Sequence, residues 1–394
     1  MSAVPIVRLK PKAGTRARFG APWIFSNEIE MSPQVKRLEP GSVVEAFADD
    51  GTLLGTGTFN PHSLIAVRLL RQRARGPIDA DFFRARIAGA LRLRGALFRQ
   101  PFYRLIHAEA DGLGGLVVDR FGDVLSVQVN TAGMERLQVE WQAVLIAELN
   151  PRAIILRNDN PGRALEGLPE AKGVASGTLS GTVIVEEGAC RFEADLLGGQ
   201  KTGWYFDQRD WHLFMARLAD GGRVLDAYCY AGGFGIHALM AGAASVTFVD
   251  SSQGALDLTA RNIALSGITR PTSLVRADAM EFMEREAPQT RFDIVIADPP
   301  PFIRSRKDLE AGAKGYRKLA RLAAGLVTSG GFLYLASCSH AISMERFAEE
   351  CAAGISRAGR SARIIASGGA APDHPVHPHL PESAYLKAIV YHLE

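Results

Sequence analysis

Two short segments carry residues whose types and spacing could do chemistry: Asp298-Pro299-Pro300-Pro301-Phe302 and Ser337-Cys338-Ser339. Each follows an apolar run, residues 292–297 and 332–336, that reads as a buried strand. If both strands belong to one parallel sheet, a carboxylate, a rigid proline turn and a lone thiol meet at its carboxyl edge. Open α/β sheets bind ligands at that edge. A thiolate is a strong nucleophile, and cationic or helix N-terminal surroundings favour it over the thiol. A nucleophilic thiol beside an acid, over a nucleotide-type cofactor, predicts covalent attack on a ring. Such attack divides one hard reaction into two easier ones.

The chain has four cysteines, at 190, 229, 338 and 351. None forms a Cys-x-x-Cys pair, so neither a disulfide framework nor a zinc site is expected. His374, His377 and His379 cluster among prolines without cysteine partners, which predicts an ordered loop and no metal. Cys229 falls in a glycine-bearing turn, where it would touch a cofactor, while Cys190 and Cys351 read as structural. The bland reading of Cys338 is a buried strand-end thiol. Its partnership with Asp298 on the adjacent predicted strand favours the nucleophile.

These residues need a sheet to position them. From about residue 195, strand patterns (223–226, 246–250, 273–277, 292–297, 332–336) alternate with helix patterns (234–241, 255–266, 279–286, 314–326, 344–358). That alternation predicts a doubly wound, Rossmann-like α/β sheet. Residues 362–367 and 384–391 are expected to form an antiparallel edge. The first strand runs into Asp226-Ala227-Tyr228-Cys229-Tyr230-Ala231-Gly232-Gly233-Phe234-Gly235. The glycines come later than in Gly-x-Gly-x-x-Gly. This order suits a cofactor without a pyrophosphate, whose ammonium can meet Asp226. Asp250 ends the next strand and can accept from a ribose diol. Asp278 ends the third and can take an adenine amine. A single strand-end Asp usually caps a helix. Four in succession, Asp226, Asp250, Asp278 and Asp298, outline an adenosine-plus-amino-acid pocket.

The N-terminal part differs in pattern and charge. Residues 1–75 look all-β, with Asp49-Asp50-Gly51-Thr52 as a hairpin turn, and predict a small barrel. Residues 1–104 carry 17 Lys+Arg against 8 Asp+Glu, whereas the remainder carries 28 against 34. A one-sided basic surplus points to phosphate contact. Arg16 and Arg18, in a stretch that ends Pro22-Trp23-Ile24-Phe25, are expected to touch RNA; Trp23 and Phe25 either stack on bases or fill the barrel. Residues 76–194 read as an α+β connector. It contains a helix over 79–99 capped by Asp79, a helix over 134–149, and hairpins at 116–119/124–129 and 182–185/190–194. No chemistry is assigned to it. A hydrophobic content of 47% and a charged content of 22% are those of a soluble globular protein. No run of 18 apolar residues and no leader is found, so a cytoplasmic protein without a membrane partner is expected.

The strand-end acids and the glycine turn resemble those of class I S-adenosylmethionine-dependent methyltransferases. More narrowly, the chain resembles bacterial large-subunit ribosomal RNA cytosine-5 methyltransferases with an N-terminal PUA domain. The carrying segments are 16–25 and Asn60-Pro61, then 111–120, then Gln200 to Arg209, 226–234, 298–302, 337–339 and Asp373-His374-Pro375. The resemblance implies a PUA-like barrel over 1–75, a connector over 76–194 and a Rossmann-like methyltransferase domain over 195–394. It implies S-adenosylmethionine as cofactor, large-subunit ribosomal RNA as partner and Cys338 as nucleophile; for that chemistry Asp298 is expected to hydrogen-bond the protonated N3 and amine edge of the base. The expected cofactor set is Gln208, Asp226, Tyr228, Gly232, Gly233, Asp250, Ser251, Asp278, Ala279 and Asp298. Arg16, Arg18, Arg304, Arg306 and Lys314 are expected to hold RNA. Tyr230 departs from the second glycine common at its position, and Pro300-Pro301-Phe302 lacks the second cysteine of many related enzymes. Methyl transfer to guanine N7 or an exocyclic amine, or passive RNA binding in ribosome assembly, are the competing functions. A homodimer is left open.

Overall fold

The computed structural model describes residues 4–199, 203–286, 290–303 and 305–394. Arg304 and Gln200-Lys201-Thr202, singled out above, lie outside the described residues. The chain divides into two compact units. The first comprises Met1–Val183, Ala194–Phe206 and Pro372–Pro381; the second comprises Ile184–Glu193, Asp207–Ala371 and Glu382–Glu394.

In the first unit, Ile6–Arg8 (β1), Trp23–Phe25 (β2), Ser42–Phe47 (β3), Leu53–Phe59 (β4) and Ile65–Gln72 (β5) form one sheet in the order β1-β3-β4-β5-β2. Its edges meet. Leu9 bridges Ile29, and Lys10 N donates to Glu28 O at 2.8 Å, so the sheet closes into a barrel. The Asp-Gly hairpin forms as its sequence predicts, with Gly51 at φ +82° in the turn between β3 and β4. Val7, Ile24, Val44, Phe59 and Val67 fill the barrel. Trp23 and Phe25 flank buried Ile24 and are only half-buried, and the Trp23 indole donates to Glu109 Oε1 at 2.9 Å.

A second sheet follows: Phe102–His107 (β6), Leu116–Phe121 (β7), Val124–Val129 (β8), Ala153–Asn158 (β9) and Ala171–Gly177 (β10), in the order β10-β9-β8-β7-β6. The helices Ala80–Leu97 and Gln138–Leu149 bury Phe83, Ile87, Trp141 and Leu145 with Leu105, Val127 and Ile154 in one core. Asp79 caps the first helix by accepting from Phe82 N at 3.0 Å. The expected helix over 134–149 is two, Ala132–Arg136 and Gln138–Leu149, broken at Leu137. Strands β6 and β10 were not legible. β10 contains Gly173 and Gly177 and a register shift at Val174/Ser176, which erase its alternation.

The acids of the 111–120 segment are structural. Asp111 takes both arms of fully buried Arg94 at 2.6 and 2.9 Å, and Asp119 pairs with Arg104. Asp373 accepts from Arg104 N at 2.9 Å and pairs with the His374 ring. Removing one partner from a buried pair typically costs about 3–5 kcal/mol.

The second unit holds the hairpin Val183–Glu187 (β11) and Cys190–Ala194 (β12), apart from its outer ends, and a seven-stranded sheet. The sheet strands are Arg223–Ala227 (β13), Ser245–Asp250 (β14), Thr272–Arg276 (β15), Phe292–Ala297 (β16), Val327–Ser337 (β17), Ala362–Gly368 (β18) and Lys387–Leu393 (β19). Their order is β15-β14-β13-β16-β17-β19-β18, and all pairs from β15 to β17 are parallel. β19 runs antiparallel between β17 and β18. The C-terminal strands are therefore not both at the edge. Ala388, Ile389, Val390 and Tyr391 are all buried and need neighbours on both sides, whereas much of β18 is exposed. The strand order reverses between β13 and β16, which opens a ligand crevice at their carboxyl ends.

Candidate active site

The sheet register brings the four strand-end acids to one edge. Ala227 pairs with both Val249 and Ala297, so Asp250 and Asp298 follow at the same level. Asp226 precedes Ala227 and is fully buried. Its Oδ2 accepts from Gly235 N at 2.8 Å, at the start of the helix Gly233–Met240. Burial pushes the Asp226 carboxyl up to about 7; the Gly235 amide and His212 oppose this, while Asp298 and Asp250 add to it. Asp250 accepts from Tyr230 N at 3.0 Å and Ser252 N at 2.8 Å. Asp278 accepts from Met280 N and Glu281 N at 2.9 and 3.0 Å. Three of the acids thus do organise helix starts, and they do so around one crevice. Ser251 is exposed beside Asp250, and Ala279 is buried behind Asp278.

The turn after β13 is wound tightly. Tyr228 and Tyr230 adopt φ +63° and +48°, and Gly232 adopts +81°. Left-handed backbone costs a non-glycine residue about 1–2 kcal/mol. Tyr230 is held there from both sides: Asp250 takes its amide, and Thr259 Oγ1 donates to its carbonyl at 2.8 Å. The departure from glycine at 230 is thus accommodated by hydrogen bonds. A Cβ at Gly235 would lie 2.2 Å from Phe248, and one at Gly233 would lie 2.7 Å from His212 Nε2. Close backbone approach requires both glycines. Burial, and to a lesser degree Asp278, push the Tyr228 hydroxyl up.

Gln208 joins this edge from the segment before the sheet. Its Nε2 donates to Asp298 Oδ2 at 2.8 Å, and its Oε1 accepts from Tyr334 Oη at 2.7 Å. The side chain is buried and has one orientation that satisfies both bonds.

Cys338 follows β17, and β17 pairs with β16, whose end leads into Asp298. Of the four cysteines, Cys190, Cys229 and Cys351 are buried and Cys338 is partly exposed. Burial pushes the thiols of Cys190 (to about 12), Cys229 and Cys351 up, so they stay protonated. The Cys338 turn is pinned by a hydroxyl network. Ser337 Oγ donates to Tyr316 Oη at 2.7 Å, and Tyr316 Oη lies 3.0 Å from Ser339 Oγ. Lys387 was not singled out from sequence. It faces Ser337 across the β17–β19 pair, is buried, and donates to Ser339 O at 2.7 Å and Tyr385 O at 3.0 Å. Burial pushes its ammonium down, and Cys338 opposes that shift. Its signal was one cation at the head of the apolar run 388–391.

Behind the turn, Glu187 is fully buried. It accepts from His212 Nδ1 at 2.6 Å, His237 Nε2 at 3.2 Å and Arg209 Nε at 3.4 Å. These residues are the one group with a metal-site composition among the described residues. The 2.6 Å contact is a hydrogen bond, shorter than the roughly 3.3 Å between two ligands of a tetrahedral zinc. Both imidazoles hold the carboxylate well below its usual range, against its burial.

The residues expected to hold RNA divide between the two units. Arg18 places its fork on Asp49 and Asp50, both at 2.8 Å, and is largely neutralised. Arg16 is exposed and donates to His379 O at 3.2 Å. Arg306 opens the turn Arg306–Asp308, and Lys314 is exposed on the helix Leu309–Leu326.

A parallel sheet with a switch-point crevice, a glycine-walled turn and four strand-end acids at one edge fits a nucleotide-type cofactor. Residues 7–72 match the PUA-like domain family, and residues 166–392 match the family described as S-adenosylmethionine-dependent methyltransferase. The chain belongs to the S-adenosylmethionine-dependent methyltransferase family, and S-adenosylmethionine is its cofactor. It is similar along almost its whole length to ribosomal RNA large subunit methyltransferase I of Shewanella denitrificans, at 34% identity over 394 residues and 98% of each chain. The enzyme of the same name from Aeromonas hydrophila is 37% identical over 377 residues, 94% of each chain. A Streptococcus mutans protein described as a SAM-dependent methyltransferase shares the fold, with a TM-score of 0.83 over 99% of this chain and 100% of its own at 18% identity. A methyltransferase solved with SAH superposes with a TM-score of 0.84, again over 99% and 100%, at 19% identity.

Proposed function

We propose that the protein methylates carbon 5 of a cytosine in large-subunit ribosomal RNA through a covalent Cys338 adduct. The observation that carries this reading is the position of the one partly exposed thiol. It follows β17, beside the strand that leads into Asp298, with a buried ammonium beneath its turn. The relatives named above act, by their names, on ribosomal RNA of the large subunit.

S-adenosylmethionine supplies an electrophilic methyl group. Asp226 would meet its ammonium, Asp250 its ribose diol and Asp278 its adenine amine, with Gly232 and Gly233 letting the backbone approach. Tyr228, Ser251, Ala279 and Gln208 would complete the wall. Carbon 5 of cytosine is too weak a nucleophile to attack that methyl unaided. The Cys338 thiolate adds to carbon 6, the ring's electron pair moves toward carbon 5, and carbon 5 takes the methyl as the sulfonium–methyl bond breaks and its electron pair stays with the departing thioether sulfur. Asp298, oriented by Gln208, hydrogen-bonds the N3 and amine edge and holds the positive charge on the ring. The carbon-5 proton then leaves to a solvent base, the sulfur–carbon bond breaks, and the double bond returns. The target base must leave its stack to reach the crevice.

RNA that contains 5-fluorocytosine tests this directly, because fluorine cannot leave as a cation. A covalent complex should accumulate with S-adenosylmethionine and be absent in Cys338→Ala. Methylation without a trapped complex would assign guanine N7 or an exocyclic amine. No methylation of ribosomal RNA would leave a passive assembly role.

A further inference from the structure

We propose that a cleft within the first unit, walled by β5 and the helix Ala80–Leu97, takes one nucleotide of an RNA strand, with its phosphate between Arg86 and Arg92. This rests on RNA being the substrate. The cleft encloses about 610 Å³ and is lined by Arg68, Gln72, Arg86, Gly89, Arg92 and Glu109, among others. That volume suits a ligand of nucleotide size.

Ala85, Arg86, Gly89 and Arg92 recur at three- and four-residue spacing on the helix, so they share one side of it. Two small residues make a low floor, and two arginines rim it. Gly89 lies mid-helix, where glycine costs about 1 kcal/mol relative to alanine. A Cβ there would meet only Arg92 Nη2, at 3.8 Å. Packing does not require this glycine, which keeps the floor low.

The charge balance of the cleft is positive. Asp111 is already held twice by Arg94. Glu109 takes the Trp23 indole at 2.9 Å and faces Arg68 at 3.6 Å, while Arg68 also pairs with Glu166 at 2.8 Å. Arg86 and Arg71 both lie over the Phe82 ring, at 5.5 and 4.9 Å. Arg86 also donates to Leu70 O at 3.0 Å. Among the described residues, no carboxylate pairs with Arg71, Arg86 or Arg92. Burial and the nearby Arg71 push the Arg86 guanidinium down, a cost that an anion would relieve. Buried Arg68 Nε makes no hydrogen bond and faces Glu109 Oε1 at 3.6 Å, so Arg68 serves to offset that carboxylate. Guanidinium forks match phosphate oxygens, and their planes accept a stacked base.

The test is fluorescence anisotropy of a labelled single-stranded ribosomal RNA oligonucleotide, titrated at several salt concentrations. The proteins compared are wild type, Arg86→Gln/Arg92→Gln and Gly89→Leu, the last filling the cleft while favouring the helix. RNA affinity should fall about tenfold in both variants, with S-adenosylmethionine affinity unchanged by calorimetry. In the double variant the slope of log affinity against log salt should shrink by about 0.7, one phosphate contact. Wild-type RNA affinity and salt slope in both variants would overturn the cleft and leave the RNA substrate standing. Failure of the wild-type protein to methylate ribosomal RNA would overturn both. Loss of free CMP binding with RNA affinity intact would also overturn it, by assigning the cleft to a small anion.

Discussion

Lys387 stands opposite Ser337 across the β17–β19 pair, and its buried ammonium holds the Ser339 carbonyl at 2.7 Å. The residue whose carbonyl it holds therefore directly follows Cys338. A cation so placed stabilises a thiolate more than a thiol. Lys387→Met should slow iodoacetamide labelling of Cys338 at pH 7 and move the midpoint of its pH profile upward, on the order of one pH unit. Lys387→Arg should retain much of the wild-type profile. Superimposable profiles for wild type and Lys387→Met would remove the lysine from thiol activation, whatever their turnover.

Cys338→Ala should lose methyl transfer by a factor on the order of 10⁴, the scale of losing a nucleophile. S-adenosylmethionine affinity should stay within about twofold, because the acids proposed to hold the cofactor, Asp226, Asp250 and Asp278, follow other strands. Single-turnover assays with tritiated methyl groups would read the first quantity and calorimetry the second. Retained turnover would end the covalent mechanism.

With the cofactor ammonium at Asp226, as proposed, both stability and cofactor affinity should depend on pH. Its folded-state value of about 7 lies above the ordinary 3.8. The folded protein therefore binds a proton there that the unfolded chain does not, between about pH 4 and 7. The contribution to stability is full below pH 4 and is lost as pH rises through 7. Asp226→Asn, which mimics the protonated acid, should gain a few kcal/mol over wild type at pH 8 and nothing at pH 4. Ammonium binding needs the ionised acid, so wild-type S-adenosylmethionine affinity should rise from pH 5 to 8 and the variant's should stay flat. Urea titrations and calorimetry at three pH values would show whether the two trends oppose each other.

Glu187→Ala should destabilise the protein by about 3–5 kcal/mol in urea unfolding, because His212, His237 and Arg209 would lose a fully buried anion. Glu187→Gln, which keeps one acceptor oxygen, should fall between. A chelator should leave the wild-type unfolding curve in place. A curve that shifts on chelation and returns with zinc would instead make the group a metal site.

Much of the catalytic sheet was legible because buried parallel strands are continuous apolar runs and the helices between them keep their period. Residues 292–297 and 279–286 match the observed elements at both ends. Asp226, Asp250, Asp278 and Asp298 could be named because strand ends have fixed positions in that alternation. β10 was hidden because glycines interrupted its pattern, and the inward place of β19 depends on which strand claims its second edge. Pairing across the fold was not local either. Lys387 on Ser339, Gln208 on Asp298, and Glu187 between two histidines join residues 48, 90, 25 and 50 positions apart along their hydrogen bonds. By itself, then, the sequence determined the parallel strands and the acids and the thiol that stand at their ends, since both follow from residue type and short-range periodicity. The tertiary structure alone decided which cation, amide and carboxylate those side chains meet, since contacts between distant segments depend on sheet order and register.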